Sequence, residues 1–214
     1  MNYTVKRLVV GALGTNCYII KDTASRAAVV IDPGGDAFVI KSALLEMDAF
    51  PAAILLTHGH FDHILALDEL RTAKTVVCIH KNDAEMLIES DLISPSMIGY
   101  NPWPFQNADV LFDANDRHAS VAGFDFEVIH TPGHTEGSVC YLFGDLLFTG
   151  DTLFCGGIGR TDFKGGDVEK MKSSLKLICS MPGDYAVYPG HDKETTLSEE
   201  RLHNPYLKRG RFIC

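Results

Sequence analysis

The chain is predicted to be an α/β protein on three observations. Its first thirty residues read as a meander of strands, strands and helices alternate from there to about residue 90, and the second half repeats that order of elements without repeating the sequence. Residues 3 to 10 alternate loosely with β-branched side chains, Cys17 to Lys21 continues as a second strand, and Ala27 to Ile31 is an apolar run ended by Pro33-Gly34-Gly35. Phe38, Ile40, Ala43, Leu44 and Met47 give a helix over 36 to 48. Ala53 to Thr57 is a short apolar strand running into a histidine cluster, followed by a helix over 62 to 73, a strand over 75 to 79 and a helix over 81 to 90. In the second half we expect strands near 109 to 112, 124 to 130, 137 to 143 and 146 to 149, a helix over 167 to 180, a strand over 185 to 188 and a last helix near 196 to 203. One long irregular stretch, 94 to 105, carries Pro95, Pro102 and Pro104 with Tyr100, Trp103 and Phe105. Such a loop is either a lid or binding surface, or an aromatic loop packed on the core.

A length of 214 residues suits one compact domain spanning 1–214, and 46% hydrophobic with 22% charged residues is an ordinary globular composition. Nineteen basic and 28 acidic residues give 19 − 28 = −9, a charge that repels a phosphate backbone and argues against a nucleic-acid partner. No apolar run approaches the ~18 residues of a spanning helix. Lys6-Arg7 and the apolar residues to Leu13 are at the short limit for a leader and no small-x-small site follows them, so a first strand is the better reading. The six cysteines are scattered without a CxxC pair, which fits reduced thiols in a cytoplasmic protein and does not fit a cysteine zinc site.

The chemistry concentrates in Thr57-His58-Gly59-His60-Phe61-Asp62-His63, which sets four metal-competent side chains within six positions at a strand exit. A turn there can aim neighbouring imidazoles at a common centre, with Gly59 letting the backbone bend between them. Packed together without a cation, such groups would suffer desolvation and repulsion for no gain. His134, Asp151 and His191 each follow an apolar run and a glycine, at strand ends where scaffolds display their chemistry.

These residues resemble the metallo-β-lactamase superfamily, and within it the glyoxalase II-like (hydroxyacylglutathione hydrolase-like) branch in a short form. The resemblance runs through Asp32-Pro33-Gly34-Gly35, the 57 to 63 cluster, Thr131 to Ser138, Thr149 to Phe154, Gly159 to Phe163, Pro189-Gly190-His191 and Glu199-Glu200-Arg201 with Asn204-Pro205. It implies a four-layer αββα sandwich with the metal site at one edge. It also implies that His58, His60 and His134 hold one metal and Asp62, His63 and His191 a second. Asp151 would bridge the two, and Asp62 and Asp151 are the candidate catalytic carboxylates. A set of nitrogen and oxygen donors suits two divalent cations, zinc first, with iron or manganese compatible. Asp32, Thr57 and Asp162 either orient these ligands or serve as ordinary caps and turns.

Two cations a few ångströms apart lower the pKa of a shared water toward neutrality, generate hydroxide and polarise a carbonyl. A thiolate of pKa ~8.5 departs without a proton, whereas an amide nitrogen needs one, so a thioester is the favoured small-molecule substrate. The resemblance implies S-D-lactoylglutathione or a related acyl-glutathione, with Arg160 helping to hold the glutathione. Full-length members of the branch continue into a helical C-terminal domain that this chain, stopping at Cys214, does not show. Arg201, Lys208, Arg209 and Arg211 either substitute for it or form a solvated basic tail. Asp192-Lys193 stands where full-length members often carry an aromatic residue. The same scaffold also resembles mononuclear iron persulfide dioxygenases, which bind through residues matching His58, His134 and Asp151. The Gly156-Gly157-Ile158 run favours the hydrolase. A non-catalytic metal-binding protein should show a broken ligand set, and here all seven positions are filled.

Overall fold

The computed structural model describes residues 3–89 and 103–207. Tyr3–Val10 (β1), Thr15–Asp22 (β2) and Ala27–Ile31 (β3) form an antiparallel meander. A parallel neighbour requires a crossover, and the helix Ala37–Glu46 (α1) supplies it before Phe50–Leu55 (β4) joins β3. Two single-turn helices, Phe61–Ile64 (α2) and Leu67–Leu70 (α3), precede Val76–His80 (β5), and Val110–Phe112 (β6) completes a six-stranded sheet in sequence order. The second sheet repeats this plan. His118–Val121 (β7), Phe124–His130 (β8), Val139–Phe143 (β9) and Leu146–Gly150 (β10) form the meander. A small hairpin, Leu153–Phe154 (β11) with Gly157–Ile158 (β12), and the helix Val168–Ser180 (α4) follow. Ala186–Pro189 (β13) then joins β10 in parallel, Thr195–Thr196 (β14) closes the edge, and Leu197–His203 (α5) is the last helix.

Side-chain alternation makes the layers. In β2, Cys17 and Ile19 point into a core shared with α1, α2 and α3, while Tyr18 and Ile20 join Phe126, Tyr141, Phe143 and Phe148 between the sheets. A third core, with Leu147, Val187, Met171, Leu175 and Leu197, lies between the second sheet and α4 and α5. The result is the expected αββα sandwich. Strands buried on both faces read as continuous apolar runs, which is why the meanders were legible.

The expected helix over 62 to 73 is instead split. The Ala66 N–H leaves the helical ladder and donates to Pro33 O at 2.9 Å, pinning the turn after the histidine cluster against the loop leaving β3. The expected helix over 81 to 90 is a tighter 3₁₀ segment, Lys81–Leu87. β7, β14 and the β11–β12 hairpin were not anticipated, being at most four residues each. Residues 94 to 102 of the irregular stretch lie outside the described residues. Its described end is packed on the core, with Phe105 buried and the Trp103 indole donating to Met86 O at 3.0 Å. Cys179 is disulfide-bonded, which corrects the expectation of reduced thiols throughout, while Cys17, Cys78, Cys140 and Cys155 are free. Among the described residues no helix is long and apolar enough to cross a membrane.

Candidate metal centre

β3, β4, β8, β10 and β13 all end at one edge of the sandwich, because β3 and β4 run parallel, as do β10 and β13, and β8 is antiparallel to β9, which is antiparallel to β10. The chain leaving these strands carries Asp32, the 57 to 63 cluster, His134, Asp151 and His191. Asp32 and His191, 191 − 32 = 159 positions apart, thus arrive within one site by topology alone.

Three overlapping donor groups emerge among the described residues, and one of them, Asp32 with His58 and His63, links the two expected ligand sets. His58, His60 and His134 bring donor atoms within 4.8 Å of one another, and so do Asp62, His63 and His191. Asp151 stands between the groups, with Oδ1 3.4 Å from His63 Nε2 and Oδ2 3.4 Å from His134 Nε2 and 3.7 Å from His191 Nε2. Every residue of the expected seven is therefore in the cluster. Nε2 of His60, His63 and His134 and Oδ1 of Asp151 are buried with no hydrogen-bond partner. Orphaned polar atoms at this density are costly, and cations bound by the two groups would answer all of them, so the donor set fits the metals its chemistry implies.

The ring orientations are fixed from outside the cluster. His63 Nδ1 lies 2.9 Å from Asp32 Oδ2, and His134 Nδ1 lies 2.7 Å from the Arg160 carbonyl. Both partners only accept, so each Nδ1 carries the proton and each Nε2 presents its lone pair. Thr57 works the same way through one relay: its hydroxyl donates to Asp32 Oδ2 at 2.6 Å, so its oxygen takes the proton of His58 Nδ1 at 3.0 Å. Asp32 and Thr57 thus orient ligands. Asp162 does not, since its carboxylate forks the Arg160 guanidinium at 2.9 and 2.7 Å. Arg160 also lies 4.2 Å from the centre of the exposed Phe163 ring, whose edge faces His60.

Burial and the surrounding imidazoles push His58 well below its ordinary value, and burial with His134 and His63 brings His60 down to about 3, leaving neutral donors. Burial opposes charge on His63 too, but with no cation bound Asp62, Asp151 and Asp32 outweigh it and lift the imidazole to about 10, so a cation taking the Nε2 lone pair must displace a proton from it. Asp62 is held well below the carboxylate range; burial acts against this, and His63, His191 and Thr15 prevail.

Sequence reasoning missed several supports. Thr15 donates to Asp62 Oδ2 at 2.8 Å, and Asn16 holds the His191 loop through Nδ2 bonds to Pro189 O and Asp192 O, both at 2.9 Å. Buried Glu200 and Asn204 grip the β11–β12 hairpin, Glu200 through Gly156 N at 2.8 Å and Asn204 through Gly157 O at 3.0 Å. That explains the terminal Glu-Arg and Asn-Pro motif, and it places Phe154 edge-on to His191 at 5.9 Å. Arg201 is not part of a solvated tail: its guanidinium caps α4 through the carbonyls of Cys179, Met181 and Gly183. Lys208, Arg209 and Arg211 lie outside the described residues.

Gly190 gives the sharpest local test. A methyl group there would overlap Asp151 Oδ1 and approach His63 Cε1 to 2.9 Å. Gly190→Ala is expected to lower metal content while the far-ultraviolet circular dichroism stays native; elemental analysis showing full metal would contradict this packing.

The Metallo-beta-lactamase superfamily model matches residues 10–191, and the chain belongs to that superfamily. It is a metal-dependent hydrolase of the superfamily, with the His/Asp metal-binding cluster described above. Hydroxyacylglutathione hydrolase GloC of Haemophilus influenzae is 34% identical over 95% of this chain and 97% of its own. Among solved structures, the BLEG-1 B3 metallo-beta-lactamase superposes with a TM-score of 0.88 at 37% identity, covering 95% of this chain and 99% of its own. TTHA1623 in a di-iron-bound form has a TM-score of 0.81 at 32% identity, covering 94% of this chain and 100% of its own.

Proposed function

We propose that the chain is a binuclear metallohydrolase that cleaves a thioester, with S-D-lactoylglutathione or a related acyl-glutathione as substrate. The observation that carries the binuclear reading is Asp151, whose carboxylate lies between the two ligand groups, 3.4 Å from His134 of the first and 3.4 and 3.7 Å from His63 and His191 of the second. His58, His60 and His134 would hold one cation, Asp62, His63 and His191 the other, and Asp151 would contact both; the di-iron form of TTHA1623 supports that count. The bound pair supplies an activated water and an electrophile for the carbonyl oxygen.

The remaining work falls to the chain. Asp62 and Asp151, the candidate catalytic carboxylates, both face His63 Nε2 at 3.4 Å and would hold the cations that activate the attacking water. The asparagine-held His191 loop and the Glu200-held hairpin bound the site on the second group's side, and Phe163 walls the first. A departing thiolate needs no general acid, so the donor set suffices for a thioester; the GloC relative supports an acyl-glutathione. Arg160, stacked on Phe163 and already paired with Asp162, offers the substrate a preformed guanidinium at the rim.

Thiol release from S-D-lactoylglutathione, measured beside hydrolysis of a β-lactam, tests this reading. Release with little β-lactam turnover is expected. Efficient β-lactam cleavage without thiol release, or oxygen uptake on glutathione persulfide, would move the assignment to another branch. Arg160→Ala is expected to raise KM about tenfold with kcat nearly kept, the pattern of lost uniform binding; an unchanged KM removes Arg160 from the substrate site.

A further inference from the structure

Asp83 belongs to neither ligand group, yet it is one of the most buried carboxylates in the fold, 1% exposed at the third position of the 3₁₀ segment. Its Oδ2 accepts the Gly59 N–H at 3.2 Å and the Thr135 hydroxyl at 2.6 Å, and its Oδ1 accepts the Gly137 N–H at 2.7 Å. Gly59 sits between His58 and His60, and Thr135 follows His134. One carboxylate therefore ties together the two loops that bear all three ligands of the first group.

The packing agrees. A methyl group on Gly59 would come within 2.6 Å of Met86 Cβ, and one on Gly137 within 2.6 Å of the Asp83 carboxyl carbon, so both loops are pressed against the 3₁₀ segment at backbone distance. Ser138 completes the knot, its Oγ 2.7 Å from Thr135 Oγ1 and 3.1 Å from Thr135 N. The second group is held by different residues on a different element: Thr15, on β2, reaches Asp62 at 2.8 Å.

We propose that Asp83 is a positioning residue of the first metal site alone and Thr15 one of the second alone, so that through these two residues the affinities can be changed independently. The inference rests on the binuclear reading above. Outer partners of metal ligands typically change affinity ~10–100-fold when lost, and groups that share no contact act additively.

Asp83→Asn is the sharp variant. An amide keeps the size of the carboxylate, but in either orientation its NH₂ meets one of the two glycine N–H groups donor to donor and releases one loop. Thr15→Val deletes the hydroxyl that serves Asp62. Wild type, each variant and the double variant are freed of metal with a chelator and titrated with cobalt(II), followed by calorimetry and visible absorption. Wild type is expected to bind in two resolved steps. Asp83→Asn should weaken one step ~10–100-fold and leave the other, Thr15→Val should weaken the other step, and the double variant should show both losses.

Both steps weakened together by Asp83→Asn, or neither, overturns the proposal. If wild type binds fewer than two cobalt ions, it is the binuclear reading that fails. Should Asp83→Asn not fold, Thr135→Val, which removes only one of the three donors, must weaken the same single step by a smaller factor, and an unchanged titration then overturns the proposal.

Discussion

Replacing Asp151 with alanine is expected to lower kcat/KM by at least about 10³-fold, more than the ~10–100-fold typical of an outer partner, and to take metal content from two per chain to one or none. Its carboxylate faces His63, His134 and His191, so its loss strips a donor from both groups. The apo fold should change little: Oδ1 has no hydrogen-bond partner to lose, and the charge that Asp151 offers the His63 imidazolium is also supplied by Asp62 and Asp32. A cooperative melting transition of the metal-free variant close to that of metal-free wild type, together with lost metal, is the combined signature. Full activity with intact metal would sink the bridging role.

Asp32→Ala is expected to act on stability as well as on metal. One buried carboxylate, 1% exposed, accepts from Thr57 N at 2.8 Å, Thr57 Oγ1 at 2.6 Å and His63 Nδ1 at 2.9 Å. Leaving such donors unpaired costs about 1–3 kcal/mol each, a sizeable part of the ~5–15 kcal/mol that holds a domain together. Alanine also disfavours the left-handed backbone that Asp32 adopts at φ 49°. Asp32→Asn tolerates that φ and keeps one acceptor, so it should recover much of the stability while metal affinity stays ~10–100-fold low. Denaturant unfolding of the two metal-free variants separates the effects. Equal stability for alanine and wild type would contradict the account.

Much of this was readable from the chain. Ala27–Ile31 and Val139–Phe143 declared themselves because strands covered on both faces are apolar throughout. The ligands were legible because a dense cluster such as 58 to 63 has no cheap explanation without a cation. Their supports were not. Thr15, Asn16 and Asp83 look like any turn residue, and what makes them matter is a partner 47, 173 or 24 positions away. The Arg160 carbonyl that sets the His134 tautomer is backbone, which no residue pattern records. The helix expected over 62 to 73 failed for a related reason: apolar periodicity reported burial correctly, but the bond from Ala66 to Pro33, a contact across the fold, decided the backbone.

The most direct test of the central claim is metal stoichiometry. The protein is purified without chelators, reconstituted with zinc or iron, and analysed for metal per chain in parallel with Asp151→Ala. The binuclear account predicts two divalent ions per wild-type chain and fewer in the variant. A single ion in wild type, retained by the variant, would contradict it.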